Sequence, residues 1–408
     1  MSEVRSAIRD AGTCFRHSAS QPVMTRLWLV GVAAMLLILC GSIGYLSASD
    51  GARGIPVGIF RVKPSLSIQS RYDSNVFKDA TNRVGEKILS IQPVVQVSTH
   101  WKSLTFSGSL ASDIARYESR STEDYQDYKA AMHVKYSVSR RLELGAKTDV
   151  AFNHDSRGAA DVGKIGANNP PRHWKHYGFD GSAQYTYNRL RTLMELSHQI
   201  DDKLDIGNYL NKATLSLMFA LAPRTSLLTE VGWKGIVYDS AALDRDNQER
   251  SIGAGVSWTG AAKTQGDLRV GYTMKEYENS AVEGSSAFTF GGGIGWKPLA
   301  KTALKLDLSR NFAEGGLVSN YYVSTSEQLG LTQKLRSFLT FNSNVSHTQN
   351  DYSSGLENEI WKGSAGFGYA FPRWLTMDTN FTRTSQKSNQ VDSGYDSDEV
   401  MVSLTGGL

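Results

Sequence analysis

The sequence has few cysteines, little net charge and only one long apolar run. Its two cysteines, Cys14 and Cys40, lie within the first forty of 408 residues. The rest of the chain therefore cannot form a disulfide framework or a thiolate metal site. Mean hydropathy is −0.33, and no apolar run after residue 49 is long enough to cross a bilayer as a helix. A multi-helix membrane protein is excluded.

The N-terminal segment has the composition of a cleavable export signal. Arg5, Arg9, Arg16 and Arg26 precede an apolar run over residues 27–39, and small residues follow at 47–49. We expect residues 1–49 to be a signal peptide that is cleaved after Ser49. A retained transmembrane helix is the alternative, because apolar character persists to about residue 46.

The chain after residue 49 is close to neutral. The whole sequence carries +4, and the expected signal contains four arginines and two acidic residues, which leaves about +2. A nearly neutral chain gives no electrostatic reason to expect a nucleic-acid partner.

Apolar and polar residues alternate along nearly all of the remaining chain. From Leu142 to Phe152, every second residue is apolar or Thr, and the residues between are polar or glycine apart from Ala151. This period of two is typical of β-strands with one apolar face. We count about 18 such segments of roughly 10–14 residues, a length that suits transmembrane strands better than the shorter strands of soluble sandwiches. The sequence therefore predicts an all-β, antiparallel up-and-down transmembrane β-barrel over residues 62–408, after a short periplasmic lead over 50–61.

Connections between the segments alternate in length. Short links lie near residues 101, 140, 189, 224, 298, 334 and 373. Longer polar links are expected at 78–86, 118–124, 155–172, 201–208, 240–247, 278–284, 313–320, 350–358 and 385–395. Short periplasmic turns and long extracellular loops alternate in this way in barrels of the bacterial outer membrane, which is the location we predict. Aromatic residues near the segment ends, such as Trp101 and Trp296, are the expected interfacial girdles.

Charged residues of both signs occupy the polar face of the alternation. If the barrel is closed, these side chains point inward and line a hydrated channel; the alternative is that they pair and stiffen the wall. The predicted channel-lining residues are Glu143, Lys147, Asp149, Glu195, Glu230, Lys234, Arg269, Lys275, Lys305, Asp307, Lys362 and Asp378.

No arrangement of residues predicts catalysis, and we expect neither an enzyme activity nor a cofactor. His173 and His176, three residues apart in the longest predicted loop beside Pro170 and Pro171, lack a third metal ligand nearby. The segment from Asp244 to Asn247 lacks the glycine and the distal glutamate of a calcium loop. Gly291–Gly295 is followed by no helix and is not a nucleotide-binding loop.

The start of the expected barrel resembles a known family. The stretches Phe60-Arg61-Val62-Lys63-Pro64-Ser65-Leu66 and Arg71-Tyr72-Asp73-Ser74-Asn75-Val76-Phe77 are similar to the opening of the putative β-barrel porin 2 family, in particular its EpsL-type members from exopolysaccharide operons. The resemblance implies an outer-membrane barrel that serves polysaccharide secretion and supplies no catalytic residues. For Asp73 and Asn75 we favour turn formation at a strand end, and a role at the entrance to the first loop is the alternative.

Three functions remain open from the sequence. The resemblance favours a barrel that passes an exopolysaccharide chain through the outer membrane, with outer-membrane lipid and periplasmic polysaccharide-export proteins as further partners. A general diffusion porin for small hydrophilic solutes is the second hypothesis. A structural or receptor barrel with a filled interior is the third.

Overall fold

The computed structural model describes residues 54–162, 169–240, 244–261, 263–372 and 374–408. The predicted signal peptide lies outside the described residues, and the described chain belongs to one unit, Ala52–Leu408. Within the described chain, no helix has the length and hydropathy needed to cross a membrane.

The strands are β1 (Ile55–Val57), β2 (Phe60–Asp73), β3 (Glu86–His100), β4 (Leu104–Tyr117), β5 (Tyr125–Ser137), β6 (Leu142–His154), β7 (His173–Tyr187), β8 (Leu190–Asp202), β9 (Asn208–Ala222), β10 (Thr225–Tyr238), β11 (Asn247–Ala261), β12 (Thr264–Tyr277), β13 (Ser285–Leu299), β14 (Thr302–Glu314), β15 (Tyr321–Lys334), β16 (Leu339–Tyr352), β17 (Glu357–Ala370), β18 (Leu375–Ser388) and β19 (Tyr395–Gly407), with one 3-10 turn at Ser121–Glu123.

Strands β2 to β19 form a closed antiparallel barrel of eighteen strands, as the sequence predicts. Each strand pairs with its neighbours in the chain, and β19 pairs with β2 from Glu399–Asp73 to Gly407–Ser65. The barrel starts at Phe60, two residues before the predicted start. The expected lead contains β1, which pairs with the first residues of β2 beyond the end of β19. Because the ring is closed, its ladder leaves no long free strand edge.

The outer face of the barrel is apolar. Large hydrophobic side chains at alternate positions, such as Leu144, Leu196, Val270 and Leu329, are about 40–50% exposed. Side chains this apolar are stable at such exposure when lipid surrounds them. Aromatic residues expected near the strand ends are exposed on the same face. They are Trp101, Tyr136, Tyr185, Tyr187, Trp233, Trp296, Trp361 and Trp374.

The connections alternate as predicted. Links at one end, such as 188–189, 223–224 and 300–301, have only a few residues. Links at the opposite end are longer on average, and the longest spans residues 155–172. We call this segment the mouth loop and this end of the barrel the mouth.

The wall is interrupted at the mouth between β13 and β14. Their ladder ends at Phe290–Arg310. Beyond that pair, β13 continues along β12 to Ser285, and β14 continues along β15 to Glu314. The last residues of β14 therefore leave β13. Gly292 lies at the start of this region, where an added Cβ would lie 2.1 Å from the carbonyl oxygen of Asp267, so only glycine fits.

Candidate functional site: the inner wall and the mouth loop

All twelve residues predicted to line a channel lie on the face opposite the exposed apolar side chains. Leu144 and Val270 point outward, for example, while their neighbours Glu143 and Arg269 lie on the other face. Side chains on that face also contact strands that are not neighbours. The Tyr238 hydroxyl of β10 donates to Glu314 Oε2 of β14 at 2.7 Å. Such a contact is geometrically available only on the concave side, so this face is the inner wall.

Most of the predicted inner-wall charges form ion pairs. The nitrogen–oxygen distances are 3.4 Å for Lys135–Glu143, 3.7 Å for Lys147–Asp149, 3.5 Å for Lys147–Asp180, 2.7 Å for Lys234–Glu249, 3.7 Å for Arg269–Glu230 and 2.9 Å for Lys305–Asp307. Glu195, Lys362 and Asp378 have no ion-pair partner among the described residues. The alternation could have identified Asp180 and Glu249 as well, because both fall on the polar face of their strands.

Lys275 is the centre of a buried charge cluster. Its side chain is 0% exposed, and its ammonium donates to Asn247 Oδ1 at 2.8 Å, to Glu249 Oε1 at 3.0 Å and to Glu314 Oε1. Lys234 also pairs with Glu249, so two cations face two carboxylates and the cluster is neutral. Glu314 reaches Lys275 because the end of β14 leaves the wall. A buried charge is stable only when it is paired in this way.

The two loop-region histidines are placed differently from the sequence-based expectation. His173 and His176 lie at the start of β7 rather than in a loop. Nδ1 of His176 lies 2.6 Å from Asp201 Oδ1, and its Nε2 lies 3.3 Å from Asp149 Oδ2. Residues 173–176, which we expected in a loop, are therefore the first four residues of this strand. Among the described residues, no group of three or more His, Cys, Asp or Glu side chains has the geometry of a metal site.

The mouth loop is held by a buried ion pair. Nε and Nη2 of Arg157 donate to both carboxylate oxygens of Glu123 at 2.7 and 2.6 Å, and these side chains are only 6% and 3% exposed. The same guanidinium lies 4.6 Å from the centre of the Phe77 ring. At the base of the loop, Asp155 pairs with Arg172 at 3.2 Å. Bidentate pairing of this kind fixes orientation as well as charge.

The described part of the mouth loop crosses the mouth of the barrel. The carbonyl oxygen of Ala160 accepts a hydrogen bond from the Tyr352 hydroxyl at 2.9 Å. Tyr352 ends β16, which lies about half of the ring away from β6 and β7. Between these points, Asp161 pairs with Lys203 at 3.1 Å, and its carbonyl oxygen accepts from the Leu317 amide at 3.1 Å. The loop therefore contacts several sides of the mouth and divides its opening.

The Asp73–Asn75 motif links the first barrel strand, β2, to the last barrel strand, β19. We call this junction the seam. Asn75 is completely buried, and its side-chain amide donates to the carbonyl oxygens of Asp79 and Asp396 at 2.8 and 2.9 Å. Asp73 accepts from the Ser397 hydroxyl at 2.6 Å and pairs with Lys78 at 2.8 Å. The motif forms a turn, as the sequence suggested, and also bonds β2 and its loop to β19.

A family model describes almost this entire barrel. The model of the putative β-barrel porin 2 family matches residues 49–407. The chain belongs to the putative β-barrel porin 2 family. No curated protein matches the chain in sequence. Membership confirms the family resemblance noted at the start of the barrel, while the link to exopolysaccharide operons remains a prediction.

Solved structures similar in fold to this porin-family chain include a porin and an outer membrane protein. OccK2 (OpdF) of Pseudomonas aeruginosa superimposes with a TM-score of 0.50 at 13% identity, over 85% of this chain and 98% of that one. A BenF-like porin of Pseudomonas fluorescens Pf-5 gives 0.50 at 10% identity, over 85% and 99%. OpdK of P. aeruginosa, solved with vanillate, gives 0.49 at 12% identity, over 85% and 99%. At these identities the likeness shows the fold alone. The family and the fold together place this porin-family barrel in the outer membrane, as predicted.

Proposed function

We propose that this chain is a porin that passes hydrophilic solutes through the interior of its barrel. The observation that carries the proposal is the division between the two faces: exposed apolar side chains outside, and polar and charged side chains inside. A barrel of eighteen strands is wide enough to leave an aqueous space between its inner-wall side chains. Eleven of the twelve charged residues predicted from the sequence line this passage in the proposal; Lys275 does not, because its side chain is 0% exposed.

The mouth loop sets the size limit of the passage in this proposal. The described part of the loop contacts Glu123, Lys203 and Tyr352, so it narrows the opening. Because most inner-wall charges are paired, the wall carries little net field, and neutral solutes pass as readily as small ions.

Liposome swelling tests this function. We expect proteoliposomes with the mature barrel to swell in monosaccharides faster than in larger oligosaccharides. A variant with residues 158–170 replaced by a short glycine–serine link should admit larger sugars. Liposomes that do not swell with either protein would instead support a structural or receptor barrel.

Export of an exopolysaccharide is the second candidate. It is favoured by the paired charges of the inner wall, which offer hydrogen-bonding groups to a sugar chain without strong electrostatic trapping. A polymer would have to pass the mouth loop. Deletion of the gene should then abolish surface polysaccharide without stopping its synthesis. Unchanged secretion would rule out export and would leave the solute porin as the better-supported function.

A further inference from the structure

The inner wall contains a depression on strands β2–β6, with a volume of about 310 Å³. It lies towards the end of the barrel that has the short links, opposite the mouth. We call it the wall depression and define it by Lys63, Gln96, Ser107, Ser109, His133 and Lys147. The register places these side chains side by side: Lys63 opposite Gln96, Gln96 opposite Ser109, and Ser107 opposite His133.

Small side chains create the depression. Ser98 pairs with Ser107, and Ser109 pairs with Ala131, so four short side chains occupy neighbouring positions on three strands. The longer Lys63, Gln96, His133 and Lys147 surround them. Paired side chains on neighbouring strands are about 5 Å apart. The polar atoms are therefore spread over an area comparable to one pyranose ring rather than gathered at one point.

The polar groups of the wall depression are available to a ligand. Among the described residues, no side-chain partner is recorded for Lys63, Gln96, Ser107, Ser109 or His133. Lys147 differs, because its ammonium lies 3.7 Å from Asp149 and 3.5 Å from Asp180. The wall depression therefore carries one uncompensated positive charge, at Lys63, next to uncharged donors and acceptors.

We propose that the wall depression binds an acidic sugar unit, such as a uronate, and this proposal rests on the proposed function as a solute passage. The Lys63 ammonium pairs with the carboxylate of the sugar. The Gln96 amide and the hydroxyls of Ser107 and Ser109 bond its ring hydroxyls, and the His133 imidazole lies beside the ring. A site of this volume is in the range of small-ligand sites. A small inorganic anion would satisfy Lys63 but would leave the spread of hydroxyl and amide groups unused.

Equilibrium binding tests the proposal without requiring conduction. The probe is D-glucuronate, titrated into the detergent-solubilised mature chain and followed by saturation-transfer NMR, with D-glucose in parallel. We expect glucuronate to bind at least tenfold more tightly than glucose. We also expect 0.5 M salt to weaken the binding of glucuronate but not the binding of glucose. Lys63→Gln should raise the Kd for glucuronate about tenfold and leave that for glucose unchanged. The double variant Ser107→Ala with Ser109→Ala should raise the Kd for both sugars.

Lys362→Gln is the matched control. Lys362 is also an inner-wall lysine without an ion-pair partner among the described residues, but it lies on β17, outside the wall depression. Its substitution should leave the Kd for glucuronate unchanged. Equal binding of glucose and glucuronate, or equal effects of the two lysine variants, would overturn the proposal. A wild-type chain that binds glucuronate but gives no swelling of liposomes would refute the passage and leave the binding site intact.

Discussion

The side-chain amide of Asn75 donates a hydrogen bond to the carbonyl oxygen of Asp396 at 2.9 Å. This contact joins the residues just after the first barrel strand to the last barrel strand, more than three hundred residues later in the chain. Asn75 is completely buried, and the same side chain also orders the first loop through Asp79. One asparagine therefore closes the ring and shapes the turn next to it.

Asn75→Ala should destabilise the closed barrel. The substitution leaves the partly buried carbonyl oxygens of Asp79 and Asp396 without this donor, at a cost of about 1–3 kcal/mol. We expect a lower midpoint of urea unfolding in detergent and a lower temperature for loss of the compact band on unheated gels. Asn389→Ala is the control, because Asn389 makes two similar bonds at an exposed site. Equal losses in both variants would show that the seam has no special role.

Adjacent residues of β16 should respond in opposite ways to lysine. Val345 is 47% exposed on the outer face, whereas Asn344 lies on the inner wall, opposite Gly330 and Ser364. Val345→Lys places a charge in lipid and should cost about 2–4 kcal/mol if the site is near the bilayer midplane. Asn344→Lys should cost much less. Unfolding in lipid vesicles measures both, and the reverse order would invert the assignment of the two faces.

Lys275→Met should be among the most destabilising inner-wall substitutions. It leaves the buried carboxylate of Glu249 and the partly buried carboxylate of Glu314 with less positive charge. Loss of one partner from a buried ion pair costs about 3–5 kcal/mol. Lys305→Met is the comparison, because Lys305 is 69% exposed and, among the described residues, forms an ion pair only with Asp307. Exposed pairs contribute about 1 kcal/mol or less. If urea unfolding gave the same midpoint for both variants, the cluster would not hold the end of β14 in place.

Arg157→Gln should release the mouth loop. The substitution removes both bonds to Glu123 and the contact with Phe77. We expect a larger mean single-channel current in planar bilayers, with more frequent fluctuations between current levels. Arg383→Gln is the control, because Arg383 pairs with Asp398 at 3.4 Å at an exposed site away from the mouth loop. A current that is identical in wild type and Arg157→Gln would mean that the loop does not limit the passage.

The strands, the alternation of turns and loops, and the two faces were predictable because they depend on local patterns. A period of two assigns Glu143 and Lys362 to the inner wall without knowledge of their partners. The mouth loop was also recognisable as the longest link. Its position was not, because Arg157 and Glu123, or Ala160 and Tyr352, become neighbours only when the ring closes.

The burial of Lys275 shows the same limit. Its inward direction follows from the alternation, but its complete burial depends on Glu314, which the sequence placed in a loop. Glu314 reaches Lys275 because β14 leaves β13 after Arg310, and no local pattern encodes that separation. His176 was assigned to a loop because its neighbours are polar, although it belongs to a strand whose partners supply Asp149 and Asp201.

Thiol modification tests the passage through the barrel interior most directly. Both cysteines of the chain lie before residue 50, so the chain from residue 50 onward offers a background without thiols. Cysteine is introduced at Asn344 on the inner wall or at Val345 on the outer face, and ionic current is recorded in planar bilayers before and after a bulky, positively charged, water-soluble thiol reagent. We predict that the current falls for Asn344→Cys and is unchanged for Val345→Cys. If mass spectrometry shows that Asn344→Cys is modified and its current is nevertheless unchanged, the result would contradict a passage along the inner wall.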